Sequence, residues 1–528
     1  MTKKVLVSDP VAEAGRELLK DNGVEVTYNT ELSYEELLEE IPKYHGIVLR
    51  SMTPLNEEVL SKAKNLEVIA RAGSGYDNID IDAASKEGII VLNTPGENTI
   101  SAAEQAMALM SAISRNTVQA NNALNEGIWD RSKYQGVELN QKTLGIIGLG
   151  RVGGAVAKRA KAFNMKVIAN DPYIPEERGE RLGVELVSKD ELYQRSDYIT
   201  IHTPLTDETE HLLNEDTFAK MKDGVYIVNA ARGGCIDRFD LEEAVKNGKV
   251  AGAGLDVHEE EPPGEDYNLI DVEEVILAPH LGGTTVAAMD NVAIEAAKQA
   301  LMVFDGELPR TPLNVPRLQP EELKEVQPYI KLAEKLGGFY AGWTGGRIEK
   351  VEVVYQGEIA NKEVELVTPA ILKGLLDPVV EEKLNLVNAE VFAEKRGIQI
   401  AETTSTTTDE FANLITIKIN DGAETRELSG TVFHQDELRI VDINGYDVDI
   451  LPQGNMLVTD HQDQPGIVGE VGTLLGSNDV NIASMQLGRN QAGGKAIMVI
   501  NIDQQLDEGL KEKLLAIEGM NDFSLLTL

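Results

Sequence analysis

The feature that most constrains this chain is a short glycine pattern, Gly148-Leu149-Gly150-Arg151-Val152-Gly153, set between an apolar run (TLGIIG, 143–148) and a helical pattern through VAKRAKAF. Glycines at these spacings permit a tight turn, close approach of backbone to ligand, and close packing of helix on strand. The helix N-terminus then offers free N–H groups to a pyrophosphate. Asp171 follows the next β-rich run, KVIAN (166–170), 18 residues beyond Gly153. A carboxylate there accepts from a ribose 2′-hydroxyl and repels a 2′-phosphate, so the pattern predicts a doubly wound sheet that takes NAD rather than NADP.

The rest of the first 280 residues agrees. Short β-rich runs at 4–8, 24–28, 46–50, 67–71 and 88–92 alternate with helical patterns such as EAGRELLKDNG and SYEELLEEIPKY. After a long small-residue helix (TISAAEQAMALMSAISR) the alternation restarts, with runs at 143–148, 166–170, 197–202, 225–229, 251–255 and 275–279. Strands separated by helices imply parallel sheets covered on both faces. Another helix, TTVAAMDNVAIEAAKQALMVF, precedes a proline-punctuated stretch at Pro309, Pro312 and Pro316, a domain boundary. Beyond it, RIEKVEVVYQGEIA, FANLITIKI and ELRIVDING read as antiparallel strands with one apolar helix near LVNAEVFAEKRG. From about residue 455 the order is βαββαβ, a ferredoxin-like module.

At 528 residues the chain exceeds one core, and its 42% hydrophobic content excludes a disordered protein. No run reaches the roughly 18 apolar residues of a membrane span. The start, MTKKVLVSDP, enters a strand pattern directly and does not read as a signal peptide. The single cysteine, Cys235, excludes an internal disulfide framework and a cysteine-rich metal site, and fits a reducing cytoplasm. With 88 acidic and 49 basic residues the net charge is −39, which argues against nucleic acid or an anionic membrane as the main partner. The same acidity suits a saline cytoplasm, where screening tames self-repulsion; stability is then expected to rise with molar salt.

Of seven histidines only His202 and His280 end strands at the predicted carboxyl edge of the second sheet, where ligands of doubly wound folds sit. His280 stands in APHLGGTT; upstream lie Asn229-Ala230-Ala231-Arg232-Gly233-Gly234 and Asp256-Val257-His258-Glu259-Glu260-Glu261-Pro262-Pro263. Oxidising a 2-hydroxy acid needs a base for the hydroxyl proton, a cation for the carboxylate and a second carboxylate to poise the base. His280, Arg232 and Glu261 supply one of each, arginine because its fork matches a carboxylate in two bonds.

RAGSGYDNID (71–80), NTPGENTISAAEQ (93–105), GIIGLGRVG (145–153), HTPLTDET (202–209), NAARGG (229–234), DVHEEEPP (256–263) and PHLGG (279–283) together resemble the D-isomer-specific 2-hydroxyacid dehydrogenases, in a long form with an intervening domain and a C-terminal ACT domain. The resemblance implies four units: a substrate-binding domain (1–98 plus 284–312), an NAD-binding domain (99–283), an α+β intervening regulatory domain (316–454) and a ferredoxin-like ACT domain (455–528). It places the catalytic Arg, Glu and His on Arg232, Glu261 and His280. It assigns cofactor contacts to Ser74, Gly148, Gly150, Arg151, Val152, Gly153, Asp171, His202, Thr203, Pro204, Ala230, Ala231, Arg232, Asp256, His280, Gly282 and Gly283, and substrate contacts to Arg50, Ser51, Gly75 and Asn98. His258 departs from the family, which usually has an aromatic residue there.

The implied reaction is NAD-dependent oxidation of a phosphorylated 2-hydroxy acid, D-3-phosphoglycerate, to 3-phosphohydroxypyruvate, on the way to L-serine. Two other readings stay open: glyoxylate or hydroxypyruvate reduction with the same three residues, and a non-catalytic NAD-sensing protein. Arg50, in VLRSMTP, ends a strand beside a hydroxyl and is a candidate phosphate anchor. Near the C-terminus, D-x-P-G followed by N-I resembles an ACT domain, the small amino-acid-binding module; His461, Asp463 and Asn481 are its candidate effector residues, with L-serine the expected effector. Pro465 is expected in the first turn of the helix that follows. A homodimer or homotetramer is expected from the resemblance.

Overall fold

The chain is described by a computed structural model covering residues 2–380, 384–408, 410–506 and 508–528. Two parallel sheets form its first part. The first holds β1 (Lys4–Val7), β2 (Glu25–Tyr28), β3 (Gly46–Leu49), β4 (Val68–Arg71) and β5 (Ile90–Asn93) in the order β2-β1-β3-β4-β5. β3 and most of β1, β4 and β5 are buried on both faces, as helix-covered parallel strands must be. β5 starts two residues later than the apolar run suggests, because Gly88 turns at φ +71°.

The second sheet runs β12-β11-β10-β9-β6-β7-β8, from β6 (Thr143–Ile147), β7 (Lys166–Asn170), β8 (Glu185–Leu186), β9 (Tyr198–Ile201), β10 (Val225–Asn229), β11 (Val250–Leu255) and β12 (Val275–Leu277). The order reverses beside β6, the edge where the glycine loop opens. The helix Thr99–Arg115 covers this sheet, with Gly254 so close to Leu109 that an added Cβ would sit 2.9 Å from it. The helix Val286–Phe304 returns to the first sheet, where Val292, Ala293, Ala296 and Ala300 join its core. Gly15 admits that helix: an added Cβ would lie 2.5 Å from the Ala293 carbonyl oxygen.

Two long helical stretches that the sequence reading missed begin the next region. The helix Pro320–Thr344 contains Pro328 and several glycines, and Val367–Leu376 is buried at every position but Lys373. The glycines serve packing: Cβ atoms on Gly337 and Gly374 would each fall 2.2 Å from a carbonyl oxygen of the facing helix. Both helices lie on a mixed sheet ordered β14-β13-β15-β16-β17-β18, built from β13 (Lys350–Gly357), β14 (Gln399–Ser405), β15 (Asn413–Asn420), β16 (Thr425–Phe433), β17 (Glu437–Ile443) and β18 (Tyr446–Ile450). The C-terminal βαββαβ unit has β19 (Asn455–Gln462), β20 (Ile482–Arg489), β21 (Lys495–Ile502) and β22 (Met520–Thr527) in the order β20-β21-β19-β22. One face of that sheet (Met456, Val458, Val499, Leu526) shares a continuous core with the helix Pro320–Thr344 and the mixed sheet. Pro465 lies in the turn before the helix Ile467–Gly476, not in its first turn; Gly466, at φ +104°, caps the helix.

Candidate active site

The carboxyl ends of both parallel sheets open onto one cleft of about 500 Å³. Arg50, Ser51, Ser74, Gly75 and Asn98 line it from the first sheet's side, and Arg232, Glu261, His280 and Gly283 from the second's.

His280 follows β12 in the left-handed region (φ +53°), its N–H donating to the Asp256 carbonyl at 2.8 Å. Its Nδ1 lies 2.6 Å from Glu261 Oε2, and Glu261 Oε1 accepts the His258 N–H at 3.0 Å. Burial pushes the Glu261 carboxyl up, but the bonds from the His280 ring and the His258 N–H outweigh it and hold the group below the usual carboxylate range. An ionised partner at Nδ1 fixes the ring and leaves Nε2 for a reacting group. His202, the other strand-ending histidine, has no such partner. Its Nε2 lies 3.0 Å from Thr200 Oγ1, its Nδ1 is buried without a hydrogen bond, and burial pushes it down to about 4. His258 is also committed elsewhere, its ring meeting Tyr267 Oη at 3.2 Å and the Ala278 carbonyl at 3.0 Å.

Arg232 sits beyond β10, where Asn229 ties the turn by donating to the Arg232 carbonyl and accepting the Ala231 N–H. Its guanidinium lies over Gly75, whose added Cβ would be 2.2 Å from Nη2, and its Nε is 3.3 Å from the exposed Asp77 carboxylate. Ser74 Oγ donates to Asn98 Oδ1 at 2.9 Å, joining two of the expected contact residues.

One residue of this cleft was missed by sequence reasoning. Arg71, the last residue of β4, has a buried Nε with no hydrogen-bond partner. Burial, and after it the charges of Arg232 and Arg50, push its guanidinium down to about 10 against the pull of Asp77 and Asp9. Three guanidinium groups in one cleft repel each other, and an anion carrying more than one charge relieves that repulsion. The only sequence signal was its place as the first residue of RAGSGYDNID, at a strand end.

The glycine loop has the shape a dinucleotide needs. Gly148 turns at φ +89°, with room for no side chain against the His202 carbonyl, and a Cβ on Gly153 would fall 2.1 Å from the Gly148 carbonyl oxygen. Gly150 caps the helix Arg151–Ala162, and Cβ space above it is open, as close approach of a pyrophosphate requires. Asp171 accepts the N–H groups of Leu149 at 2.8 Å and Tyr173 at 3.0 Å, so it braces the loop from the end of β7. Arg178, unforeseen from sequence, donates to the carbonyls of Leu149 and Gly150. Arg151 lies against Gly96 at the entrance between the sheets, and Val152 packs into the core beneath the loop. Thr203 Oγ1 is 3.9 Å from Cys235 Sγ, and the Pro204 carbonyl accepts from Thr209. Asp256 is fully buried, its carboxylate held by the Leu281 and Gly282 N–H groups and the Gln105 amide; it anchors the loop after His280.

The effector candidates are brought together only in part: Asp463 and His461 lie within electrostatic reach of each other, whereas Asp463 and Asn481 share no hydrogen-bond partner. Asp463 precedes the helix Ile467–Gly476 and binds Arg489 and the Gly493 N–H, both at 3.0 Å; Asn481 follows the helix and donates to Asp503 at 2.7 Å. His461 is fully buried on β19, its Nδ1 3.1 Å from Thr459 Oγ1 and its Nε2 unpartnered. Among the described residues no cluster of His, Cys, Asp or Glu has metal-holding geometry, and no helix is long and apolar enough to cross a membrane.

An imidazole poised to exchange a proton, facing a guanidinium able to hold a carboxylate beside a dinucleotide loop, is the chemistry of an NAD-dependent 2-hydroxyacid dehydrogenase, and the class follows from fold and site alike. Residues 107–282 match the D-isomer specific 2-hydroxyacid dehydrogenase NAD-binding domain, 325–444 the D-3-phosphoglycerate dehydrogenase intervening domain and 455–519 the ACT domain. D-3-phosphoglycerate dehydrogenase of Archaeoglobus fulgidus is 44% identical over 98% of this chain and 99% of its own length; that of Bacillus subtilis is 39% identical over 99% of each. The chain belongs to the D-3-phosphoglycerate dehydrogenase family. Among solved structures, a glyoxylate reductase from Paecilomyes thermophila is similar at TM-score 0.54 and 33% identity, covering 61% of this chain and 99% of that one. The Aquifex aeolicus D-lactate dehydrogenase complexed with NAD and lactic acid is similar at TM-score 0.52 and 31% identity, covering 58% and 96%.

Proposed function

We propose that this enzyme oxidises D-3-phosphoglycerate to 3-phosphohydroxypyruvate, with L-serine as the effector of its ACT domain. The observation that carries the substrate is the convergence of Arg50, Arg71 and Arg232 on the cleft that holds the Glu261–His280 pair. A 2-hydroxy acid with one carboxylate needs one guanidinium; a phosphate at the other end accounts for the rest.

In this reading Arg232 takes the substrate carboxylate in place of Asp77, and Arg50, with Ser51, takes the phosphate. Gly75 and Asn98 frame the carbon skeleton. NAD, when bound, supplies the hydride acceptor. As the carbonyl forms, His280 Nε2 accepts the hydroxyl proton, and Glu261 stabilises the imidazolium that results. Gly148, Gly150, Arg151, Val152 and Gly153 hold the pyrophosphate, Asp171 the adenosine ribose, and Ser74, His202, Thr203, Pro204, Ala230, Ala231, Asp256, Gly282 and Gly283 surround the nicotinamide half. The functional units follow the division 1–98 plus 284–312, 99–283, 316–454 and 455–528. The enzyme works as a homo-oligomer in the cytoplasm, with its acidic surface suited to salt.

The test is NADH formation with D-3-phosphoglycerate and with D-glycerate, for the wild type and Arg50→Ala. The substitution is expected to lower kcat/KM for the phosphorylated acid by roughly 100-fold and to change D-glycerate turnover little, the cost of losing one charge-assisted contact. Absence of turnover with D-3-phosphoglycerate at any salt concentration would remove the reading; equal losses with both acids would favour an unphosphorylated substrate.

A further inference from the structure

The loop that carries Arg50 and Ser51 has its backbone claimed from both sides. Asp9, at the carboxyl end of β1, is 1% exposed. Its Oδ2 accepts the N–H of Arg50 at 2.7 Å, Met52 at 3.0 Å and Thr53 at 3.4 Å, and its Oδ1 accepts Thr53 Oγ1 at 2.5 Å. From the opposite side Asn78 Nδ2 donates to the carbonyls of Arg50 at 2.9 Å and Thr53 at 2.7 Å. Asp9 stands behind the cleft while Asn78 is part of its lining, and neither has a part in the proton transfer or in holding the carboxylate. A buried carboxylate is costly unless its lone pairs are filled, and here four donors of one loop fill them. With the loop's polar backbone turned inward, the side chains of Arg50 and Ser51 have only the cleft to occupy. Asp9 also faces Arg71, and supplies buried negative charge behind a cleft otherwise crowded with guanidinium groups.

We infer that Asp9, seconded by Asn78, is a positioning and specificity-determining residue: it fixes the Arg50 loop so that the enzyme favours a substrate bearing a second anionic group. The inference rests on the reading of Arg50 as the phosphate anchor. It makes Asp9 act through Arg50, so its loss should weaken binding of the phosphorylated end and spare the chemistry at Arg232 and His280.

The experiment compares wild type, Asp9→Asn, Asn78→Ala and Arg50→Ala on D-3-phosphoglycerate and D-glycerate, with thermal unfolding of each variant. Asp9→Asn keeps the shape but places an amide NH2, a donor, where donors converge. It is expected to raise KM for the phosphorylated acid by about tenfold or more, with kcat within roughly twofold and KM for D-glycerate little changed. Asn78→Ala is expected to show the same split more weakly, and carries the test if Asp9→Asn does not fold. An unchanged KM in both variants, or an equal loss with both acids, overturns the inference while leaving the phosphate reading in place. If Arg50→Ala itself fails to distinguish the two acids, the phosphate reading falls and this inference with it.

Discussion

The cleft and the C-terminal domain treat their functional residues in opposite ways. Arg232, Glu261 and His280 come from three separate connections, yet all line one cavity, because parallel strands deliver their following loops to the same edge. Asp463 and Asn481 are only 18 positions apart, yet one precedes and the other follows the ten-residue helix Ile467–Gly476. Each is already bonded to a neighbour in its own chain. One fold gathers a site within a single chain. The other gives its two candidate residues separate partners, and a site that draws one of them from each of two copies is the arrangement to test.

The most direct way to break this contrast is at the cleft. If the three residues act as one unit, His280→Ala should lower kcat by about 10³-fold, the usual worth of a positioned general base. Glu261→Gln should lower it by roughly 10- to 100-fold, since the imidazole stays but its ionised partner is gone. Steady-state NADH formation measures both. Losses that multiply in the double variant would mean the two act separately; a double variant no worse than His280→Ala is the expected result.

The C-terminal half of the contrast predicts complementation. Asp463→Ala and Asn481→Ala should each raise the half-inhibitory L-serine concentration by roughly 30-fold or more, as truncated charged contacts do. If each site draws Asp463 from one copy and Asn481 from another, oligomers re-formed from a mixture of the two variants regain part of the response. One of the two sites in a mixed pair then keeps both side chains. A mixture as insensitive as its components would place both residues within one chain's site.

The same contrast separates what was legible in the sequence from what was not. Gly148, Gly150, Gly153 and Asp171 could be read because a loop that must bend around a ligand leaves its geometry in consecutive residues. His280 could be read because only two histidines fall at the predicted carboxyl edge of the second sheet. Arg71 and Asp9 could not: each looks like an ordinary strand-end residue, and the groups they act on, Arg50 for Asp9 and Arg50 and Arg232 for Arg71, are distant in the chain. The helix Pro320–Thr344 was hidden by Pro328 and by Gly337, Gly338 and Gly342, which look like breakers. At Gly337 and Gly342 the glycine is there because the helix Val367–Leu376 and the end of β22 press within 3 Å of where a Cβ would stand, a tertiary reason that overrides local propensity.

The smallest effect concerns His202, the strand-ending histidine that does not join the triad. Its ring is pushed down to about 4 by burial from an ordinary value of 6.5. The unfolded chain therefore binds a proton at this residue as pH falls through 6.5, whereas the folded chain declines it until about 4. Between those values the unfolded state holds more protons, so acidification costs stability, and below about 4 no further loss accrues from this group. His202→Gln removes the titration. The melting temperature of the wild type should fall about 2 °C further than that of the variant between pH 7 and pH 5, with the two curves parallel above pH 7.5. Parallel curves across the whole range would mean that His202 titrates normally in the folded chain, and that its buried ring is not the neutral counterpart to His280 that the geometry makes it.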